Sequence, residues 1–182
     1  MYEVEVKARL GNREEVKNKL KILGCKFSEE LHQVDEIFTG SKVFPPPRGT
    51  PVFRIRTQNG KYIFTLKINQ SSRLDCIEHE LEISNPDQMR AIIKLLGYKQ
   101  DVTVDKKRIK TKYKDMEIVL DNVKDLGEFI EAEKMVEHEN PEDRKKVQIE
   151  LFEFLETIGV KKEDQVIDGK YDIMLYEKLN MK

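Results

Sequence analysis

The chain has 182 residues, of which 38% are hydrophobic, so it can bury a sizeable core and is not disordered by composition. Charged residues make up 37%, but 33 basic and 34 acidic residues nearly cancel to a net charge of −1. Without a global basic field, the chain is not expected to bind nucleic acid through bulk charge. The sequence carries no signal peptide and no apolar run of membrane-spanning length, which predicts a cytoplasmic protein with no membrane partner.

Both cysteines, Cys25 and Cys76, lie outside any zinc-binding spacing. Two cysteines are also too few for a disulfide framework. We therefore expect them to be buried free thiols in a reducing compartment.

The first predicted strand carries charge on one face only. With period two, Glu3, Glu5 and Lys7 point to one side and the two valines between them point to the other. Two carboxylates and an ammonium on one face can hold a divalent cation and touch a phosphate. An edge strand with a solvated face has the same pattern, so this strand alone does not decide.

The rest of the chain divides into strands and amphipathic helices. Asn59-Gly60 predicts a type I′ hairpin turn. Residues 40–51 contain three consecutive prolines, which predicts a surface loop and leaves open whether it is a lid. The predicted helices are 13–23, 86–96, 141–158 and a short one near 171–179, and the further strands are 27–39, 52–58, 61–68, 74–83, 100–113, 116–123 and 127–137.

Charged residues recur at alternate positions of several predicted strands. Examples are Arg54 with Arg56, and the basic run at 106, 108, 110 and 112. Because the helices need the apolar strand faces, the charged faces are left together on the other side. An antiparallel sheet of seven or eight strands that curls would line an interior with them. A flat sheet with one solvated face is the alternative.

An interior lined by both signs needs water, mutual pairing or a charged ligand. Arginine and lysine hold phosphate oxygens, and carboxylates hold Mg²⁺ or Mn²⁺, which bridges to the same phosphates. A triphosphate with one or two metal ions fits this requirement. The sequence has no glycine-rich phosphate loop, so side chains would have to grip the phosphates.

These residues resemble the CYTH superfamily, the triphosphate tunnel metalloenzymes, and within it the class IV adenylyl cyclase-like proteins. The resemblance covers roughly residues 1–135. Its motifs are Glu3-Val-Glu5-Val-Lys7, Gln33-Val-Asp35-Glu-Ile-Phe38, Arg54-Ile-Arg56, Thr65-Leu-Lys67, Glu80-Leu-Glu82, Lys106-Lys-Arg108 and the segment from Leu120 to Glu133.

The resemblance implies an α+β fold, with a closed antiparallel eight-stranded β-barrel, a charged interior and helices packed outside. It implies one domain over 1–182, with core motifs in 1–135 and a C-terminal helix and tail in 141–182. Lys170-Tyr171-Asp172 resembles a segment that closes one tunnel mouth.

The resemblance also assigns roles to individual residues. Metal binding, to Mg²⁺ or Mn²⁺, is assigned to Glu3, Glu5, Asp121, Glu131 and Glu133. Substrate binding is assigned to Lys7, Arg54, Arg56, Lys67, Lys106 and Arg108. The catalytic set is Glu3, Glu5, Lys7 and Arg108, with Glu80 and Glu82 in auxiliary roles.

Two reactions share this apparatus. A class IV adenylyl cyclase converts ATP to cyclic AMP and pyrophosphate, and this is the leading expectation. A triphosphatase acting on inorganic, thiamine or nucleoside triphosphate is the alternative. A non-catalytic polyphosphate- or nucleotide-binding module is a third, which retention of all five acidic residues argues against. Base specificity, metal count and homodimerisation through the outer helices stay open.

Overall fold

The computed structural model describes residues 2–70, 75–137, 140–167 and 170–180. The first half contains β1 (Tyr2–Arg9), α1 (Arg13–Ile22), β2 (Leu31–Thr39), β3 (Pro51–Gln58), β4 (Lys61–Asn69), β5 (Asp75–Ile83) and α2 (Pro86–Leu95). The second half contains β6 (Lys99–Tyr113), β7 (Met116–Val123), β8 (Gly127–Val136), α3 (Pro141–Thr157), a 3₁₀ turn (Lys162–Asp164), β9 (Gln165–Val166) and α4 (Tyr171–Asn180).

Eight antiparallel strands close into a barrel. Their order is β5-β4-β3-β2-β6-β7-β8-β1, and β1 then pairs with β5 to complete the ring. The described part of this last seam is short, with Glu3 opposite Cys76 and Val4 opposite Asp75. The two-residue strand β9 pairs with β1 further along, at Lys7 and Ala8. The predicted α+β barrel with helices outside is confirmed.

The β3–β4 hairpin shows how local sequence determines the register. Asn59 and Gly60 have φ values of +50° and +76°, as a type I′ turn requires at both central positions. The turn places Gln58 opposite Lys61 and Arg54 opposite Thr65. Because side chains alternate along a strand, this register puts Arg54 and Arg56 on the same face as Thr65.

The main core lies outside the barrel, under α1 and α3. Asn12 and Asn140 cap these helices by accepting hydrogen bonds from the backbone N–H groups of Glu15 and Glu142. Their apolar stripes cover the outward faces of β1, β6, β7 and β8. The cluster contains Val4, Val6, Ala8, Val16, Leu20, Ile118, Leu120, Ile130, Ala132, Leu151, Phe152 and Leu155.

Two smaller clusters complete the packing. Under α2, Ile93 packs with Phe38 and Ile55. At one end of the barrel, α4 packs against interior-facing residues, where Tyr171 and Leu175 meet side chains such as Phe129. The loop before β3 joins this end, because the Phe44 ring lies 4.3 Å from the Tyr176 ring of α4.

Cys25 and Cys76 are both free and buried, as predicted. Within the described ranges, no helix combines the length and the apolar character needed to cross a bilayer.

Candidate active site

The barrel contains a cavity of about 230 Å³ with charged walls of both signs. The strands supply its charge because their alternate residues point inward, while their apolar residues face the helices. The charged wall residues are Glu3, Glu5, Lys7, Asp35, Arg54, Arg56, Lys67, Glu78, Glu80, Lys106, Arg108, Lys110, Glu131, Glu133, Lys170 and Asp172.

Three carboxylates converge in this wall. One oxygen from each of Glu3, Glu5 and Glu133 lies within 4.8 Å of the other two. The pairing of β1 with β8 brings them together, since Glu5 lies directly opposite Glu133. None of the three forms an ion pair within 4.0 Å to any residue that the structure describes. Such a set of hard oxygen donors fits Mg²⁺ or Mn²⁺.

The pKa values of this cluster reflect crowding of negative charge. Burial raises the pKa of Glu5; Lys7 opposes this, while Glu131 and Glu3 add to it. Burial, followed by repulsion from Glu3 and Glu131, raises the pKa of Glu133 to about 8. A cation bound among them would relieve this repulsion.

Next to the cluster, Glu131 and Asp121 are paired with buried cations. The Lys7 ammonium lies 3.0 Å from Glu131 Oε1, and Arg108 Nη2 donates to Glu131 Oε2 at 2.8 Å. Arg108 also forms a two-pronged pair with Asp121. Although burial alone would raise the pKa of Glu131, Lys7 and Arg108 hold it well below its usual range.

A second pairing centres on Asp35. Its two oxygens accept from Arg56 Nε at 2.7 Å and Nη2 at 2.8 Å. Lys106 Nζ lies 3.5 Å from the same carboxylate. Burial, and then the charge of Arg108, lowers the pKa of Lys106 to about 7. Phosphate oxygens arriving here would hold this lysine in its charged form.

The opposite wall, on β3, β4 and β5, is less buried. Arg54 donates to Glu80 at 2.7 Å and to Thr65 at 3.0 Å. Lys67 pairs with Glu78. Burial lowers the pKa of Lys67, and the neighbouring charge of Arg54 lowers it further. These groups surround the cavity with donors whose orientation is fixed by acceptors behind them.

One end of the cavity is bounded by α4 and the proline-rich loop. Tyr171 and Pro46 both line it. Lys170, just before α4, donates to Asn69 at the end of β4 at 2.9 Å. The ammonium of Lys7 lies 4.0 Å from the centroid of the Tyr171 ring, so the α4 residue contacts a predicted phosphate-binding lysine.

Two predicted site residues are not in the wall of the cavity. Asp121 is completely buried and both of its oxygens are engaged by Arg108. The side chain of Glu82 is 62% exposed and pairs with Lys61 at the surface. The other predicted residues, from Glu3 to Glu133, all line the cavity. Which of them bind metal or substrate stays a prediction.

Sequence reasoning missed Asp35 and Glu78 as site residues. Asp35 follows Gln33 by two positions on β2, so alternation placed it on the inward face, but nothing marked it as the partner of Arg56. Glu78 shares a strand face with Glu80, and only the register of β5 against β4 puts it opposite Lys67. The alternation of side chains along each strand could have identified both residues as inward-facing.

Comparison with known proteins agrees with this architecture. The family model described as "CYTH domain" matches residues 1–169. A Methanocaldococcus jannaschii protein named "Putative adenylate cyclase" is 33% identical over 174 residues, covering 94% of this chain and 97% of that protein.

Solved structures give the same result. One Pyrococcus horikoshii OT3 protein superimposes with a TM-score of 0.76 at 29% identity, covering 94% of this chain and 98% of its own. A Hippeastrum adenylyl cyclase homologue, described as revealing a dominant triphosphatase activity, has a TM-score of 0.60 at 19% identity, covering 98% and 96%, and supports the fold alone. The chain therefore belongs to the CYTH domain family.

Proposed function

We propose that this protein converts ATP to cyclic AMP and pyrophosphate, as class IV adenylyl cyclases do, in a reaction that depends on Mg²⁺ or Mn²⁺. As a CYTH family member it is an enzyme of the adenylyl cyclase or triphosphatase type, in a family of metalloenzymes that bind triphosphates. The M. jannaschii relative carries a cyclase name and matches almost the whole chain, which supports the cyclase reaction.

One observation carries the proposal: a cluster of carboxylates that pair with no described cation lies beside buried cations that are held in ion pairs. Glu3, Glu5 and Glu133 converge without a cation partner among the described residues, while the neighbouring wall concentrates buried cations such as Lys7 and Arg108. A ligand that combines a hard divalent cation with several phosphate oxygens satisfies both halves at once. A solvated scaffold would not require such a division inside a barrel.

The basic residues would hold the triphosphate in a fixed position. Arg56, Lys106 and Arg108 are each braced by a buried carboxylate, so their charges keep their orientation before the substrate arrives. Such preorganised charge stabilises negative charge that develops on phosphate oxygens during transfer. The side chains would also exclude water from the phosphorus under attack.

Glu3, Glu5 and Glu133 would hold the metal ion. When bound, such an ion supplies polarisation of a phosphoryl oxygen and charge neutralisation. The adjacent Lys7, which is 97% buried and pairs with Glu131, would turn its ammonium to the bound phosphate.

A triphosphatase is the second candidate, and the size of the cavity favours it. The volume of about 230 Å³ is smaller than the roughly 300–1,000 Å³ typical of pockets for drug-sized ligands, so a triphosphate group would fill most of it. The Hippeastrum protein illustrates that a cyclase name and a dominant triphosphatase activity occur together.

Phosphorus NMR distinguishes the two. The purified protein is incubated with Mg²⁺ or Mn²⁺ and, in separate samples, with ATP, tripolyphosphate or thiamine triphosphate. Cyclic AMP with pyrophosphate identifies the cyclase, and orthophosphate release identifies the triphosphatase. Saturable binding without turnover of any of the three would overturn both in favour of a binding module.

Glu5→Gln is the matched test of the metal assignment. It removes one charge from the carboxylate cluster but keeps the shape of the side chain. We expect metal-dependent turnover to be lost while circular dichroism stays that of the folded barrel. Full activity in this variant would show that the metal assignment is wrong.

A further inference from the structure

Tyr171, the first residue of α4, buries its hydroxyl group without a hydrogen-bond partner. The residue is 95% buried and lines the cavity. Its oxygen has no partner among the described residues at ordinary hydrogen-bond distance and angle. A buried hydroxyl without a partner destabilises a folded protein, so an unpaired one at a binding site requires an explanation.

The surroundings of the hydroxyl identify what it can reach. Its pKa lies well above the usual range because of burial, then because of the charges of Glu131 and Asp121, and in smaller part because the hydroxyl faces Glu131 as an acceptor. The group is therefore a neutral O–H donor beside carboxylates. Asp121 is already engaged by the fork of Arg108, which leaves Glu131 as the acceptor that a small movement would bring into range.

Glu131 is fully satisfied before substrate arrives. One oxygen contacts the Lys7 ammonium at 3.0 Å, and the other accepts from Arg108 at 2.8 Å. If Lys7 turns to a phosphate, the first oxygen loses its donor while it stays buried. Leaving a buried carboxylate oxygen short of a donor opposes that movement.

The geometry points to Tyr171 as a positioning residue that donates its hydroxyl to Glu131 when Lys7 is drawn to a bound triphosphate. The inference rests on the proposed binding of a triphosphate in the cavity. The Tyr171 ring lies 4.0 Å from the Lys7 ammonium, and that ammonium lies 3.0 Å from Glu131, so Tyr171 is next to both members of the pair. The hydroxyl faces Glu131 without an ordinary hydrogen bond in the free protein and forms one in the complex.

The test is Tyr171→Phe, which keeps the ring and removes only the hydroxyl. Binding of imidotriphosphate, whose bridging nitrogens resist cleavage, is measured by calorimetry with Mg²⁺. A hydrogen bond to a charged group predicts a dissociation constant raised about tenfold. Removing an unpaired hydroxyl also predicts that the melting temperature of the free protein stays the same or rises.

Two further variants separate this role from a structural one. Tyr176→Phe deletes the other α4 hydroxyl, whose ring packs on Phe44, and should leave the dissociation constant unchanged. In a Lys7→Met background, Glu131 has already lost that donor. There, Tyr171→Phe should change the dissociation constant less than about twofold and should lower the melting temperature, because the hydroxyl is already in use.

The outcomes are distinct. If the unmodified protein binds no imidotriphosphate, the proposed binding of a triphosphate in the cavity is overturned. If it binds and Tyr171→Phe binds equally well, the role of Tyr171 is overturned and the proposed function stands. A variant that melts lower but binds normally also overturns the role, since the hydroxyl would then be structural. An undiminished effect in the Lys7→Met background rejects the route through Lys7.

Discussion

Carboxylates of the barrel interior fall into two groups that differ in their neighbours. Glu131 and Asp35 each contact buried cations, and those cations hold their pKa values below the usual range against the effect of burial. Glu5 and Glu133 lie beside other carboxylates, and their pKa values are raised. The first group orients buried cations, and the second group would be stabilised by a bound cation.

The raised pKa of Glu133 predicts a pH-dependent stability without metal. Its carboxyl keeps a proton to about pH 8 when folded, against an ordinary value of 4.5. Between these values the folded state binds more protons, so the free energy of unfolding falls as pH rises, by at most about 1.4 kcal/mol per pH unit. Glu133→Gln should flatten this slope in urea unfolding from pH 5 to 8 with EDTA.

A matched control is Glu163→Gln, because that carboxylate is 76% exposed and should leave the slope unchanged. Adding Mg²⁺ at pH 8 should stabilise the unmodified protein more than Glu133→Gln. Equal slopes for Glu133→Gln and the unmodified protein would refute the crowding of charge around Glu133.

Asp121→Asn tests whether that residue binds metal or braces Arg108. Its side chain is inaccessible and forms both prongs of the pair with Arg108. Breaking a buried ion pair predicts a loss of about 3 kcal/mol in the free energy of unfolding. We expect the Mg²⁺-induced rise in melting temperature to persist. Loss of that rise with normal stability would instead support the metal role that the family resemblance assigns.

The sequence predicted most of the charged residues that line the cavity, but it did not predict which cations and carboxylates pair with each other. Alternation along each strand placed Arg56 and Arg108 on inward faces together with Glu131. Which carboxylate each cation contacts depends on register between strands, such as Lys7 opposite Glu131. Register between distant strands leaves no mark in local sequence, so Asp121 and Glu131 looked equivalent.

At the scale of elements, short-range sequence signals were sufficient to predict where most helices and strands begin and end. Helices α1, α2 and α3 begin after capping asparagines where the sequence predicted, and the Asn59-Gly60 turn joins the strands that flank it. Strand β9 was missed because two residues show no periodicity. The docking of the proline-rich loop on α4 was also unpredicted, since it depends on a contact between Phe44 and Tyr176.

Phe44→Ala tests whether the loop and α4 act as one unit. The two rings lie 4.3 Å apart, and losing such a pair predicts a cost of about 1 kcal/mol beyond lost burial. Hydrogen exchange should accelerate in residues 40–50 and 171–180, and not in the strands. Phe154→Ala removes a comparable pair with Tyr113 and should leave these segments unchanged. Acceleration in the loop without α4 would contradict the coupling.

At the scale of the whole molecule, closure of the barrel and assembly of the carboxylate cluster are the same event. Glu3 lies on both seams of β1, opposite Cys76 of β5 and Met135 of β8. Glu133 comes from β8, so the three carboxylates meet only when the first and the last long strands pair. The alternation of charged and apolar residues along the strands predicted a curled sheet. The closure of that sheet into a barrel was predicted from the family resemblance and not from local sequence.

A divalent ion should therefore slow unfolding and leave folding almost unchanged. The ion can bind only after β1 and β8 have paired, and we expect this long-range pairing to follow the rate-limiting step of folding. Stopped-flow experiments with and without Mg²⁺ should show a lower unfolding rate at equal folding rate. An equal acceleration of folding would mean that the cluster forms early.

The pairing of β1 with β8 also has a consequence during synthesis. Strand β1 acquires its full-length neighbour only after all the elements from α1 to β7 have been made. Until then its valine face depends on α1, the next element in the chain, for cover. Contacts between such distant segments fold slowly, so the nascent chain exposes an unpaired strand edge for longer than a protein with local pairing would.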